Sequence, residues 1–223
     1  MEILPAIHLV PGIIANPYLA VDADGLTLID TGLGGSDAKI MAYVRSLGRA
    51  PRDLKRILIT HSDRDHIGSL AALVRQTGAR VSTSAIEADA IAHGRPSRPL
   101  KRKGARAILF GLMATFYPQA PSSVDEVLAD GQTLPILGGL RVLATPGHTP
   151  GHLSFFAQRL GVLFVGDSLV SEAGVLRGST GWNTWDQAQA DASVRLQAAL
   201  APRIVCPGHG PVVMDAAGKF PTS

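Results

Sequence analysis

"THSDRDHIGS", residues 60–69, places His61, Asp63, Asp65 and His66 close together, directly behind the apolar run "RILI" of residues 56–59. That run predicts a compact buried strand over 56–60, and Ile67, Leu70, Ala71 and Val74 recur at helical spacing after it. The acids and imidazoles therefore fall on a strand-to-helix loop, where open α/β sheets carry their sites. Taken singly, Asp63, Asp65 or His66 is an ordinary helix N-cap or first-turn residue. Matching loops elsewhere change that reading. "TPGHTPGH" carries His148, "FVGDS" carries Asp167 and "CPGHG" carries His209, each on a glycine-containing loop behind a predicted strand. Four such loops meeting at one edge would gather imidazole and carboxylate donors into a metal cluster.

Donors of these two kinds suit zinc, iron, manganese or nickel, and a set without thiolates does not describe a sealed structural zinc site. The expected chemistry is catalytic. A divalent ion lowers the pKa of its bound water, and two neighbouring ions can share one hydroxide while polarising a substrate oxygen.

The rest of the chain fits an α/β domain. It has 223 residues, 46% of them hydrophobic and 17% charged, which is enough to bury a core and leads us to expect a single domain over 1–223. Strands are expected at Ile3 to Val10, Tyr18 to Val21 and Leu26 to Ile29, with "DADG" at 22–25 as a hairpin turn. A helix is expected from Ser36 to Leu47, with Ile40, Tyr43, Val44 and Leu47 on its apolar face. Further strands are expected at 80–83, 124–128, 140–144, 153–157 and 162–165, and a short helix near 85–92. Thr184 and Gln187 form a capping-box pattern for a last helix carried by Ala188, Ala192, Leu196 and Leu200, before the closing strand and turn "RIVCPGHGP". Two halves of similar plan emerge, sheets inside and helices outside.

The net charge of +3 is local in origin, because Arg95, Arg98, Lys101, Arg102, Lys103 and Arg106 stand together with no acid between them. A nucleic-acid partner is not expected. No window approaches roughly 18 consecutive apolar residues, and "MEILPAIHLV" has no basic, apolar leader pattern, so a cytoplasmic protein without stable membrane association is expected. The lone Cys206 agrees with that compartment and is expected in the core.

The ordered series His61-x-x-x-Asp65-His66, His148, Asp167, His209, running from "LTLIDTG" to "CPGHGPVV", resembles the metallo-β-lactamase-fold hydrolases. The resemblance implies an αββα four-layer sandwich and a dinuclear site. One metal would take His61, Asp63 and His148, the other Asp65, His66 and His209, with Asp167 bridging. Position 63 departs from the commoner HxHxDH pattern, since it holds aspartate where a histidine is usual. Asp63 either replaces that ligand, which moves preference from zinc toward iron or manganese without excluding zinc, or only bonds a bound water. Two divalent ions, zinc foremost, are the expected cofactors.

The resemblance further implies a hydroxide held between the ions, oriented by Asp65, which later passes a proton to the leaving group. Expected substrates are small esters, lactones or thioesters, with phosphoesters behind. The alternative is an iron-dependent redox protein of the same fold. Asp30 in "LIDTG" reads as a turn former, and His152 as structural support. Residues 93–123 read as a helical insertion, serving as a lid or as the interface of a homodimer, with Phe110, Phe116 and Tyr117 facing substrate. Trp182 is a candidate pocket wall, and Trp185 is expected to pack on the helix that follows.

Overall fold

The computed structural model describes residues 1–99 and 119–221. Most of the expected insertion, including Phe110, Phe116 and Tyr117, lies outside the described residues. Strands β1 (Glu2–Leu4), β2 (Ile7–Leu9), β3 (Tyr18–Asp22), β4 (Gly25–Ile29), β5 (Leu54–Leu58), β6 (Arg80–Thr83) and β7 (Glu126–Val127) form one sheet in that order. The second sheet is built from β8 (Thr133–Leu134), β9 (Leu140–Ala144), β10 (Leu153–Ala157), β11 (Val162–Gly166), β14 (Ile204–Pro207) and β15 (Val213–Met214), ordered β15-β14-β11-β10-β9-β8. A separate hairpin joins β12 (Leu169–Glu172) to β13 (Val175–Gly178). Helices α1 (Asp37–Ser46), α2 (Arg64–Ile67), α3 (Leu70–Thr77), α4 (Ala85–Ala92) and α5 (Gln187–Ala199), with single 3₁₀ turns at Pro51–Asp53, Gln158–Leu160 and Gly181–Asn183, complete the described elements.

Period-two alternation sorts the strand side chains into layers. Tyr18, Ala20, Ile29 and Leu58 of the first sheet meet Leu153, Phe155, Val162 and Phe164 of the second in the central core. Their neighbours Leu19, Leu28 and Ile57 face the opposite way, onto Ile40, Met41 and Val44 of α1 and Leu70 and Leu73 of α3. In the second sheet Phe156, Leu163 and Val165 turn outward to Val194 of α5. Four layers result, helix, sheet, sheet, helix, as the αββα expectation has it.

Strand direction then decides where the loops go. β4 and β5 run parallel, as do β11 and β14, and two antiparallel steps through β10 give β9 the direction of β11. The C-terminal ends that lead to Asp30, His61, His148, Asp167 and His209 therefore share one edge. Leu153 donates its backbone N–H to the Thr60 carbonyl at 2.9 Å, which ties the two sheets together there.

Several expectations need correction. The single strand over Ile3 to Val10 is two, β1 and β2, turned at Pro5 and Ala6, where proline has no N–H to continue a ladder. Residues 169–178, where no strand is expected, form the β12–β13 hairpin. Thr184 does not cap α5. Asp186 does, accepting from the Gln189 N–H, while Thr184 is buried against Ser179. The buried face of α5 is also not the alanine and leucine stripe. It is Ala190, Ser193, Val194 and Gln197, with Leu196 exposed, because Ser193 donates to the Pro146 carbonyl and Gln197 to Ser154 and Ser168.

Phe155 is fully buried between the sheets. Phe155→Ala is expected to cost about 3–5 kcal/mol of unfolding free energy, read as a lower denaturant midpoint with an unchanged slope. A loss below about 1 kcal/mol would mean that the inter-sheet packing is not what holds the layers.

Candidate metal centre

The loop after β5 sends its two histidines inward through defined tautomers. His61 Nδ1 lies 2.9 Å from Thr60 Oγ1, which itself donates to Asp30 Oδ2 at 2.8 Å, and His66 Nδ1 lies 2.8 Å from the same Asp30 oxygen. With Nδ1 of each ring engaged as donor, Nε2 is left facing the site, where it offers its lone pair to an ion once it carries no proton. Asp30 thus orients both rings, and the Thr60 N–H fixes its other oxygen at 2.9 Å. This corrects the reading of Asp30 as a turn former. It holds a left-handed backbone, φ 60°, which an aspartate tolerates and which these bonds over-determine. His148 follows the same plan, its Nδ1 3.0 Å from Ser179 Oγ.

Three donor groups form. The side chains of His61, Asp63 and His148 make one, those of Asp65, His66 and His209 a second, and His61, His66 and Asp167 a third between them, with ligand atoms in each lying within 4.8 Å of one another. Asp167 Oδ1 is 3.2 Å from His66 Nε2, while its Oδ2 is 3.6 Å from His148 Nε2 and 3.5 Å from His209 Nε2. All seven side chains expected as ligands are therefore brought together.

The donor chemistry fits a cation. His61 Nε2, His66 Nε2 and Asp167 Oδ1 are buried without a hydrogen-bond partner among the described residues, the last two being close but poorly aligned. Buried polar atoms are rarely left so, and convergent lone pairs on imidazole and carboxylate are what a divalent ion requires. Space is kept by glycine: a Cβ at Gly208 would sit 2.5 Å from Asp167 Oδ1 and 2.7 Å from His66 Cε1.

Supporting residues absent from the sequence reading complete the shell. Glu87 of α4 is fully buried and accepts from the Ser62 N–H at 2.9 Å, Thr149 Oγ1 at 2.6 Å, the Gly151 N–H at 3.2 Å and Ser97 Oγ at 3.1 Å. One carboxylate thereby pins the neighbours of His61, His148 and Arg98. His152 is support rather than ligand, as expected: its Nε2 accepts from the Asp167 N–H and its Nδ1 meets Thr145 Oγ1. Asp63 occupies the N-cap position of α2 without a side-chain cap bond, so its carboxylate is free to face His148 and Arg98. Trp182 is 47% exposed on the short turn Gly181–Asn183, and Asn183 reaches Arg98. Trp185, expected to pack on α5, donates its backbone N–H to the His148 carbonyl. Cys206 is in the central core, where burial pushes its thiol up.

The charges are strongly coupled. Burial opposes ionisation of Asp167 and Asp63, yet the surrounding imidazoles, and for Asp63 also Arg98, hold both carboxyls well below the usual range. Asp65 is depressed for the same reason, burial being outweighed by its bond to His209. Burial lowers His148. His209, bonded to Asp167 and Asp65, is raised to about 9.

An αββα sandwich with buried histidine and aspartate groups at the strand ends defines a class of proteins built for metal-dependent chemistry. The chain belongs to the metallo-beta-lactamase superfamily, whose family model matches residues 10–209. It is 28% identical to the probable metallo-hydrolase YflN of Bacillus subtilis, over 88% of this chain and 81% of that protein. It is 27% identical to the thioesterase pkgB of Emericella nidulans, over 90% of this chain but 47% of that protein. A metallo-beta-lactamase family protein from Thermus thermophilus has a matching structure, TM-score 0.75 at 26% identity, covering 98% of this chain and 78% of that one. The iron redox alternative finds no support among these relatives. Divalent metal binding is what the family implies for these donor groups, and no helix among the described residues is long and apolar enough to cross a membrane.

At pH 7 the metal-free His209, with its pKa about 9, carries a proton that a metal must displace. Metal uptake should therefore release protons, and affinity should rise with pH until His209 is deprotonated. Calorimetric titration with zinc, repeated in buffers of different ionisation enthalpy, would reveal that release. Heats independent of buffer would contradict it.

Proposed function

We propose that the chain is a dinuclear metallo-hydrolase of small ester, lactone or thioester substrates, with phosphoesters a secondary class and zinc the foremost ion. The observation that carries this reading is the convergence of buried His61 Nε2, His66 Nε2 and Asp167 Oδ1, none with a well-formed hydrogen bond among the described residues, between two flanking donor groups. The first ion would lie among His61, Asp63 and His148 and the second among Asp65, His66 and His209, with Asp167 between them. Bound divalent ions would supply Lewis acidity and a more acidic water at this edge.

The chain's own residues supply the remainder. Asp65 is held ionised and its side chain is about a third exposed, 32%, so its carboxylate can take a proton from an attacking water. The same carboxylate then returns that proton to the departing alcohol or thiol. Half of the Trp182 surface lies open beside Asn183, which suits an apolar wall for an acyl group. Phe110, Phe116 and Tyr117 remain proposed as parts of a lid or a homodimer contact. The thioesterase name of one relative supports thioesters within the substrate class.

A panel of aryl esters, aliphatic lactones, thioesters and bis-aryl phosphodiesters, offered to the zinc-loaded protein, tests the reading. Carboxylic substrates should turn over ahead of phosphodiesters, and Asp65→Asn should lower kcat by about 10²-fold or more. Preferential phosphodiester cleavage, or an Asp65→Asn variant with wild-type kcat, would refute it.

A further inference from the structure

Arg98 belongs to the basic cluster that gives the chain its net charge, yet its side chain is 2% exposed. Its guanidinium grips Asp63 with both arms, Nη1 donating to Oδ1 at 2.7 Å and Nη2 to Oδ2 at 2.8 Å. Nη2 also lies 3.4 Å from His148 Nε2 and donates to Asn183 Oδ1 at 3.2 Å. Arg98 is anchored from behind, because the adjacent Ser97 hydroxyl donates to Glu87. Oδ2 of Asp63 meanwhile faces the other two donors of its group, 3.1 Å from His148 Nε2 and 3.7 Å from His61 Nε2.

A histidine at position 63 would bring no charge, whereas an aspartate brings one negative charge into a buried cation site. The guanidinium cancels it at hydrogen-bond distance. We propose that Arg98 is the charge-balancing partner of Asp63, so that the pair presents the first metal group with the net charge of a neutral ligand and sets how tightly that group holds its ion. The fork fixes the plane of the carboxylate and leaves Oδ2 directed between the two imidazoles. Arg98 is also the bond between the metal group and the Gly181–Asn183 turn that carries Trp182, so the same residue connects the ion's surroundings to the mouth of the site.

The inference rests on His61, Asp63 and His148 forming one of two metal groups, and its test separates the two claims. Zinc binding to the full-length, metal-stripped protein is followed by competition with a chromophoric chelator, giving a constant for each group; the constant for Asp65, His66 and His209 serves as an internal control for structural damage. Charge balance predicts opposite signs for the single substitutions. Arg98→Gln removes a cation beside the ion and should tighten the first group at least tenfold. Asp63→His leaves that cation unopposed and should loosen it at least tenfold. The double variant Asp63→His/Arg98→Gln should return to within about threefold of wild type, with the second group unmoved throughout. If Asp63→His does not fold, the tightening in Arg98→Gln still decides the matter. A first-group constant that weakens or stays put in Arg98→Gln would overturn the proposal, and weakening would show that the fork serves only to hold the Asp63 carboxylate in place. Wild-type protein that binds no zinc at the first group would instead sink the metal assignment beneath it.

Discussion

Asp63, Asp65 and Asp167 bring their negative charge to one edge of a sheet sandwich, with Asp30 directly behind them, and the rest of the site is arranged around the cost of keeping that charge out of water. Burial alone would push these carboxyls toward the neutral form, yet Asp63, Asp65 and Asp167 are all held below their usual range by the cationic groups beside them. In the protein without metal that role falls to Arg98 at Asp63 and to the raised imidazoles of His66 and His209. A divalent ion in each group would meet the same charge more compactly and would leave the imidazoles neutral. Metal binding and protonation are thus competing answers to one electrostatic constraint.

Holding the donors on target requires a rigid frame, and the frame is the strand arrangement. Parallel pairing of β4 with β5 and of β11 with β14 delivers acids and imidazoles from both sheets to the same edge. Two buried carboxylates then act as internal braces. Asp30 fixes the tautomers of His61 and His66 through Thr60 and directly, and Glu87 fastens the loops that bear His61 and His148. Neither needs to touch an ion to determine where an ion would sit.

Much of this was legible in the sequence. A ligand on a strand-end loop announces itself by an apolar run followed by glycine and histidine or aspartate, and the groups around His61, His148, Asp167 and His209 came from that pattern. Braces have no such signature. Asp30 reads as a turn former because its partners, Thr60 and His66, are 30 and 36 residues away. Arg98 was hidden inside a run of cations, and Glu87 sits in an unremarkable helix. The buried face of α5 escapes sequence pattern for a related reason. Its buried side includes Ser193 and Gln197, whose hydrogen bonds take the place of apolar contact, so hydrophobic periodicity points elsewhere. Local pattern reveals residues that act at their own loop, while those acting across the fold become visible only through geometry.

The most direct test of the account is the metal content of the wild-type chain at saturation. Metal-stripped protein is equilibrated with excess zinc, freed of unbound ion by gel filtration and analysed for zinc and protein together. Two zinc ions per chain is the predicted result, one for each flanking donor group with Asp167 between. A ratio that stays at one, however high the zinc, would contradict the paired site and leave Asp63 and Arg98 as a salt bridge beside a single ion.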